Sequence, residues 1–167
     1  MFKSKTVFLT LAVLLLLSFG SIFAQSDLGV VGKLYTKAEA DQLYGPVLES
    51  IEIDTGELLS ILNKAEDYAM FTIKNHQIII TDRYRELISP YKMFYASVDR
   101  ELFVPSRNVI EDNETLYLYS ISMVKKAVES GNQSITKVEK RAEKLTITNG
   151  YTTLQRSLAC PPFCQPK

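Results

Sequence analysis

The two cysteines of the chain are the residues whose type and spacing could do chemistry. Cys160 and Cys164 are separated by two prolines and Phe163, close to the end of the sequence. The residue before a proline prefers an extended conformation, so the thiols do not stack on a helical face. A turn through Pro162 and Phe163 brings the two Cα atoms within the roughly 4.4–6.8 Å that a disulfide needs. We therefore predict a C-terminal tail, residues 160–167, that is closed by a disulfide and either presents or tucks away Phe163.

The same pair supports other interpretations. It could be an exchange-active thiol pair, a soft-metal site that also uses the single histidine, His76, or half of an intermolecular bond. The spacing resembles the Cys-Pro-x-x-Cys motif of the copper chaperones that serve cytochrome oxidase, which also use a distant histidine. That resemblance implies Cu(I) ligation by Cys160, Cys164 and His76, although the family carries its motif near the start of a thioredoxin-like domain. Otherwise His76 is an exposed residue at a hairpin tip.

The first 24 residues have the layout of a secretory signal peptide. Lys3 and Lys5 precede an apolar run over residues 7–17, and Ala24 stands just before a polar stretch. This pattern predicts cleavage after Ala24 and a mature protein that is secreted or periplasmic, where disulfides persist. An uncleaved anchor is the alternative, because residues 7–24 approach the ~20 apolar residues of a membrane span. After cleavage we expect no stable membrane insertion.

Composition argues against several classes of function. The chain has 19 basic and 19 acidic residues, whereas nucleic acids and anionic membranes call for a clustered basic excess. The basic residues of 137–144 are interleaved with Glu139 and Glu143, a pattern typical of a solvated face. An acidic stretch over residues 49–57 is likewise interpreted as surface. The sequence has no glycine-rich phosphate loop, paired metal-ligand cluster or nucleophile elbow, so we expect no enzymatic activity and no cofactor.

Three helices are predicted from their capping signals, after a flexible lead over residues 25–34. Thr36 and Glu39 have the spacing of a capping box, so a short helix should run to about Tyr44. Gly131 stands where a glycine that ends the third helix belongs. The predicted N-terminal caps are Thr36, Asp54 and either Ser120 or Ser122.

The strand signals come in two similar blocks. Segments 68–74 and 77–81 are rich in β-branched and aromatic residues, and Asn75 and His76 between them suit a tight hairpin. Three successive isoleucines in the second segment indicate a strand covered on both faces. The remaining strand signals are 84–88, 116–119, 135–141 and 144–148, and Asn149-Gly150 indicates a further hairpin.

The two blocks align in residue type. Residues 77–82 match residues 144–149, and Leu87 falls on Leu154. The alignment suggests a diverged tandem helix-plus-meander repeat with halves 35–89 and 115–159, although any two hairpins look alike at this level. The predicted fold is a single α+β domain, residues 35–159. In it, two or three helices pack on one face of an antiparallel β-sheet.

Residues 89–114 fit no regular element and hold several aromatic side chains. Either this segment crosses the sheet and fills the core, or it displays the aromatics to a partner. The leading hypothesis is a secreted or periplasmic non-catalytic binding protein with an unknown protein partner. The alternatives are an extracytoplasmic thiol or Cu(I) handling protein and a structural component of the cell envelope. The candidate partner contacts are Phe163, Tyr91, Phe94 and Tyr95.

Overall fold

The computed structural model describes residues 28–90, 92–93, 102–103, 110–111 and 113–160. The predicted signal peptide and the tail beyond Cys160 lie outside these residues. Three helices are described: α1 (Lys37–Tyr44), α2 (Thr55–Leu62) and α3 (Ile121–Gly131). None of them is both long and apolar enough to cross a bilayer.

Eleven strands are described. In chain order they are β1 (Lys33–Thr36), β2 (Glu49–Asp54), β3 (Tyr68–Lys74), β4 (Gln77–Asp82), β5 (Lys92–Met93), β6 (Leu102–Phe103), β7 (Leu116–Ser120), β8 (Ile135–Arg141), β9 (Lys144–Asn149), β10 (Thr152–Gln155) and β11 (Leu158–Cys160).

The strands form two main antiparallel sheets and a short ribbon. Sheet A has the order β1-β10-β9-β8-β2, and sheet B has the order β11-β7-β3-β4. The ribbon is the pair β5 and β6. The α+β class and the antiparallel pairing are confirmed, but the prediction of one shared sheet is wrong. The reason is that α2 leads from β2 in sheet A to β3 in sheet B, and α3 leads from β7 in sheet B to β8 in sheet A.

A strand exchange joins the two halves of the chain. β2 pairs with β8 in sheet A, yet the following helix, α2, leads to β3 in sheet B. β7 does the reverse, because it pairs with β3 in sheet B while α3 leads to β8 in sheet A. The registers correspond. Asp54, the N-cap of α2, lies opposite Ile135, and Ser120, the N-cap of α3, lies opposite Tyr68. Each half therefore completes a sheet of the other.

The central hairpins of the two halves have the same dimensions. β3 and β8 each have seven residues, and β4 and β9 each have six. A two-residue turn joins each pair of strands. Asn75 and His76 have φ of 51° and 57°, the left-handed conformation that a tight type I′ turn requires at both positions. The sequence alignment of the two blocks thus superimposes equivalent strands.

Capping side chains start the first two helices where the sequence predicts. The Oγ1 of Thr36 accepts a hydrogen bond from the Glu39 N–H, and the Glu39 carboxylate accepts one from the Thr36 N–H. At α2, the Asp54 Oδ1 accepts a hydrogen bond from the Glu57 N–H. These contacts satisfy backbone donors that a helix cannot pair internally.

The end of α3 differs from the prediction. Asn132, rather than Gly131, follows the helix in the left-handed conformation, with φ 51°. Gly131 is required for space, because a Cβ atom there would lie only 2.0 Å from the Asn149 carbonyl oxygen. The glycine signal therefore marks a close approach of β9 and not the helix cap.

The main core joins both sheets to α2 and α3. The Tyr119 hydroxyl of sheet B donates a hydrogen bond to the Leu145 carbonyl of sheet A, and burial raises the pKa of Tyr119. The prediction that all helices pack on one face is wrong, because α1 covers the opposite face of sheet A. Buried residues of this core include Leu58, Ile61, Leu62, Phe71, Ile80, Val124, Val128, Val138, Ile147 and Leu154.

A second apolar cluster covers the other face of sheet B. Ile79 belongs to this cluster, whereas its neighbour Ile80 belongs to the main core. β4 is therefore covered on both faces, as its run of isoleucines predicts. The cluster also contains Val31, Met70, Ile110, Leu116, Leu118 and Cys160.

Candidate functional site

The two predicted metal ligands that the structure describes lie on different elements. Cys160 ends β11, is fully buried and packs in the apolar cluster of sheet B. His76 sits at the β3–β4 tip with 92% of its side chain exposed, and its Nδ1 lies 3.0 Å from Glu49 Oε1. Across the described ranges, no group of three His, Cys, Asp or Glu side chains is placed to hold a metal ion.

Five predicted site residues fall outside the described ranges, so their roles stay predictions. They are Cys164, Phe163, Tyr91, Phe94 and Tyr95.

A cleft of about 290 Å³ lies between the edges of the two sheets. One wall is β2, the last strand of sheet A in the part of the chain that the structure describes. The other wall is β4, which stands last in sheet B. Ile61 and Glu57 of α2 line the cleft, and the chain enters it at Ser89 and Pro90. Two strand edges thus face one concave surface.

Alternation along β2 makes part of this surface apolar. Ile51 and Ile53 are half-buried, whereas the intervening side chains of β2 are exposed. The partly buried Ile78 and the buried Ile61 and Ile80 also line the cleft, which brings the isoleucines around it to five. β2 was not predicted from the sequence, although an alternation of isoleucine with polar residues is the signal of a half-buried strand.

The rim of the cleft is acidic. Glu52, Asp54 and Glu57 line it, and the Glu49–His76 contact joins the start of β2 to the hairpin tip of sheet B. Lys137 Nζ lies 2.9 Å from Glu52 Oε1. That hydrogen bond raises the pKa of Lys137, so the lysine stays charged at neutral pH. Carboxylates still outnumber cations here, which favours a cationic ligand.

Backbone groups of both walls point toward the cleft. The Thr55 N–H donates to the Ser134 carbonyl at the end of β2, and every second residue of an antiparallel strand directs its backbone groups the same way. Ser50 and Glu52 therefore direct theirs away from β8. On β4, Ile80 hydrogen-bonds outward to Ser89, so Ile78 directs its backbone groups to the same side.

As far as Pro90, where the continuous described range ends, the segment after β4 contacts the second half of that strand. A strand is predicted over residues 84–88, but the structure shows a single bridge from Leu87 to Thr81. The Ile88 and Ser89 N–H groups both donate to the Ile80 carbonyl. Arg85, with φ 67°, gives a three-residue turn in place of the two-residue turn after β9. Gln77 and Ile78, at the start of β4, line the cleft.

A buried polar layer under α1 is a second cluster that the sequence analysis missed. Arg141 has a fully buried side chain whose Nη2 lies 2.8 Å from Asp41 Oδ1 and 3.4 Å from Glu139 Oε2. Its Nη1 donates to the Gly45 carbonyl. Glu139 is buried too, so the prediction of a solvated face over residues 137–144 is wrong at these two positions. The reason is that α1 covers the outer face of sheet A.

The chemistry of this layer is structural. Glu139 also accepts a hydrogen bond from Thr148 Oγ1 at 2.8 Å, so both buried charges have partners. Hydrogen bonds from Lys37 and then Arg141 lower the pKa of Asp41, which keeps its carboxylate ionised. The signal in the sequence is the run of threonines that alternates with apolar residues along β9. Among the described atoms, the Gln155 Nε2 is buried without a hydrogen-bond partner.

A larger cleft of about 510 Å³ lies at the start of α3. Glu66, Asp67 and Lys125 line it, so its charges are mixed. The Ile121 N–H donates to the Asp67 carbonyl and the Ser120 N–H to the Val31 carbonyl, which uses backbone donors at this helix end. The smaller cleft combines isoleucine side chains, an excess of carboxylates and two strand edges, and is the stronger candidate site.

No family model, no curated protein and no solved structure matches this chain. The geometry of the cleft therefore carries the functional proposal.

Proposed function

We propose that the mature chain is an exported, non-catalytic binding protein whose ligand site is the cleft between β2 and β4. The observation that carries this proposal is the combination of five isoleucines with an acidic rim between two strand edges. Ligand sites are mostly apolar, with a few polar groups that fix orientation. A cleft of about 290 Å³ is at the small end of the range for such sites, which suits a few side chains of a larger partner.

The placement of the ionisable groups supports a binding role over a catalytic one. General acid–base or nucleophilic catalysis needs a reactive group held beside its activator and open to substrate. Arg141 and Glu139 are paired with each other and sealed under α1. His76 is exposed and contacts the Glu49 carboxyl group, and this contact includes no nucleophile. Arg141 and Glu139 therefore stabilise the fold, and His76 contributes to the rim of the cleft.

The sequence pattern of the first 24 residues supports export to the periplasm or the exterior. In an oxidising compartment, a Cys160–Cys164 disulfide would close the tail beyond β11. No described cysteine is a free thiol, and Cys160 lies fully buried at the end of a paired strand. Such a bond would fix the direction in which the tail leaves sheet B. It ties no distant elements together.

Site-specific photo-crosslinking tests the proposed binding site. A benzoylphenylalanine replaces Ile78 in the cleft of the full chain, produced in its own compartment. The control replaces Tyr151, which is 88% exposed at the β9–β10 turn. We expect discrete adducts from the Ile78 position and none from the Tyr151 position. Identical adducts at both positions, or none at Ile78, would contradict the proposal.

The thiol or Cu(I) handling alternative requires accessible thiolates. The burial of Cys160 opposes that role, because a handling protein presents its sulfur to a partner. Intact mass measured before and after reduction decides between the two. We expect reduction to add two hydrogens, and Cu(I) uptake to be absent until the bond is broken. Free thiols that bind one Cu(I) and lose it in Cys160→Ser would favour the handling protein.

The structural-envelope alternative requires self-assembly. Sedimentation of the purified mature chain tests it, because a structural component forms large oligomers whereas the proposed binding protein does not.

A further inference from the structure

The second half of the molecule shows how a strand can close the gap between the sheets. β10 pairs with β9 in sheet A, and β11 pairs with β7 in sheet B. Arg156, with φ 68°, lies between them where the chain passes from one sheet to the other. A single extended segment, residues 152–160, therefore covers the outer edges of two strands in succession.

Within the described residues, the first half shows the first of these two steps and not the second. The order β2, α2, β3, β4 is repeated in the second half as β7, α3, β8, β9, so β4 corresponds to β9 and β2 to β7. The bridge from Leu87 to Thr81 covers part of β4, as β10 covers β9. The counterpart of β11 would lie on the outer edge of β2. Within the described ranges β2 is instead the last strand of its sheet.

We propose that the outer edge of β2 accepts an extended segment of a partner protein by strand addition, as β11 adds to β7. This inference rests on the proposed function, because it names the class of ligand for the same cleft. β11 pairs with residues 116–118 of β7. Matching the two helix caps, Ser120 and Asp54, places the equivalent positions at residues 50–52. Ser50 and Glu52 are the residues whose backbone groups point away from β8.

The side chains of the cleft define the chemistry of the partner. Alternate residues of an added strand point to opposite faces. One set would contact Ile51 and Ile78, and the other set would meet the Glu52 carboxylate, while Glu57 lines the same cleft from α2. The partner segment is therefore one in which apolar and basic residues alternate. In strand addition, backbone hydrogen bonds supply affinity and alternate side chains supply specificity.

Charge argues against a second copy of this chain as the occupant. Two β2 strands that paired edge to edge would bring two acidic rims together, and like charges placed opposite each other are destabilising. A basic segment avoids this repulsion and gains attraction from both Glu52 and Glu57.

Fluorescence anisotropy with synthetic peptides tests the inference. The probe is a short labelled peptide in which valine and lysine alternate, and its controls are a valine–glutamate peptide and a valine–lysine peptide with N-methylated backbone amides. We expect only the first to bind the full mature chain. The double variant Glu52→Lys/Glu57→Lys should weaken binding by about tenfold or more, since like charges oppose docking. Glu129→Lys, on the exposed face of α3, makes the same kind of charge change away from the cleft and should have little effect.

Amide hydrogen exchange supplies the second readout. The bound peptide should slow exchange at Glu52 and leave exchange at Tyr151 unchanged. If the N-methylated peptide binds equally well, strand addition is wrong, while the cleft remains a ligand site. If no peptide binds but the Ile78 crosslinks persist, the inference fails and the proposed function stands.

Two further results would assign the edge to another occupant and overturn the inference. Slow exchange at Glu52 in the free monomer would mean that this chain covers its own edge. Slow exchange that appears only in a concentration-dependent dimer would assign the edge to a second copy.

Discussion

The two halves of the molecule share one plan and differ in what covers their outer strands. In the second half, β10 and β11 cover β9 and β7, and Leu116, Leu118 and Tyr119 of β7 are fully buried. In the first half, β2 is the last strand of the described sheet, and Ile51 and Ile53 are only half-buried. The same arrangement of strands therefore supplies a stable frame on one side and a concave surface on the other.

The largest difference in stability is expected between substitutions at equivalent positions of the two central hairpins. Arg141 ends β8 and is sealed under α1, whereas Lys74 ends β3 and lies 3.0 Å from Glu114 with part of its surface exposed. Arg141→Met leaves Glu139 buried without its cationic partner, which should cost about 3–5 kcal/mol. Lys74→Met should cost less than about 1 kcal/mol, because partly exposed ion pairs contribute little. Urea denaturation of both variants measures the difference, and equal losses would mean that α1 does not seal the layer.

The next largest difference in stability is expected between substitutions in the outer strands β7 and β2. Leu118 of β7, whose strand is paired with β11, is fully buried in the apolar cluster of sheet B, so Leu118→Ala should lower the free energy of unfolding by about 2–5 kcal/mol. Ile51 of β2 is half-buried, so Ile51→Ala should cost clearly less and should instead weaken ligand binding. Thermal and urea unfolding of the two variants provide the comparison. A larger loss for Ile51→Ala would show that the edge of β2 is covered in the free protein.

Two isosteric substitutions compare the hydrogen bonds made by the last residues of β4 and β9, which are Asp82 and Asn149. Asn149 donates from Nδ2 to the carbonyls of Gln133 and Ile135, at 3.0 and 3.2 Å. Asn149→Asp turns these donors into acceptors and should cost about 1–3 kcal/mol. The Asp82 Oδ1, in contrast, accepts hydrogen bonds from the Tyr84 and Glu86 N–H groups of its own turn. Asp82→Asn keeps an accepting oxygen and should be nearly neutral. Similar losses in both variants would contradict a special role for Asn149.

Acid should weaken the polar layer under α1, because Asp41 contributes to it as a carboxylate. The pKa of Asp41 is lowered in the folded state by hydrogen bonds from Lys37 and Arg141, from an ordinary value of 3.8. Its stabilising contribution is therefore present above pH 3.8 and is lost as the pH falls toward the folded-state pKa. Because Asp41 is substantially exposed, this is the smallest of the effects. Circular dichroism from pH 5 downward should show a shallower acid dependence for Asp41→Asn, and an unchanged dependence would rule out this anchor.

Local signals allowed much of this fold to be predicted, because they act between residues close in sequence. Thr36 and Glu39 are three positions apart, and Asn75 and His76 form their own turn, so caps and hairpins were found. The pairing of β2 with β8 depends on residues far apart in the chain, and no local pattern reveals it. The two-sheet arrangement was missed for that reason.

The candidate site was harder to predict than the fold. The alternation of Ile51 and Ile53 was present in the sequence, but the neighbouring carboxylates suggested an ordinary surface. The burial of Arg141 and Glu139 could not be read from their charges, because it depends on α1 folding back over the sheet. The predicted roles of Cys164 and Phe163 stay untested by the described residues.

The strand exchange has a consequence for how this chain folds and how it can be divided. Neither half can bury its apolar surface alone, since β2 needs β8 and β3 needs β7. Contacts between such distant segments form slowly, so folding should wait until the whole chain is present. A cut between residues 90 and 110 should then produce two fragments that are unfolded when separate and regain structure on mixing. The molecule would behave as a dimer of unequal subunits that happens to be encoded as one polypeptide.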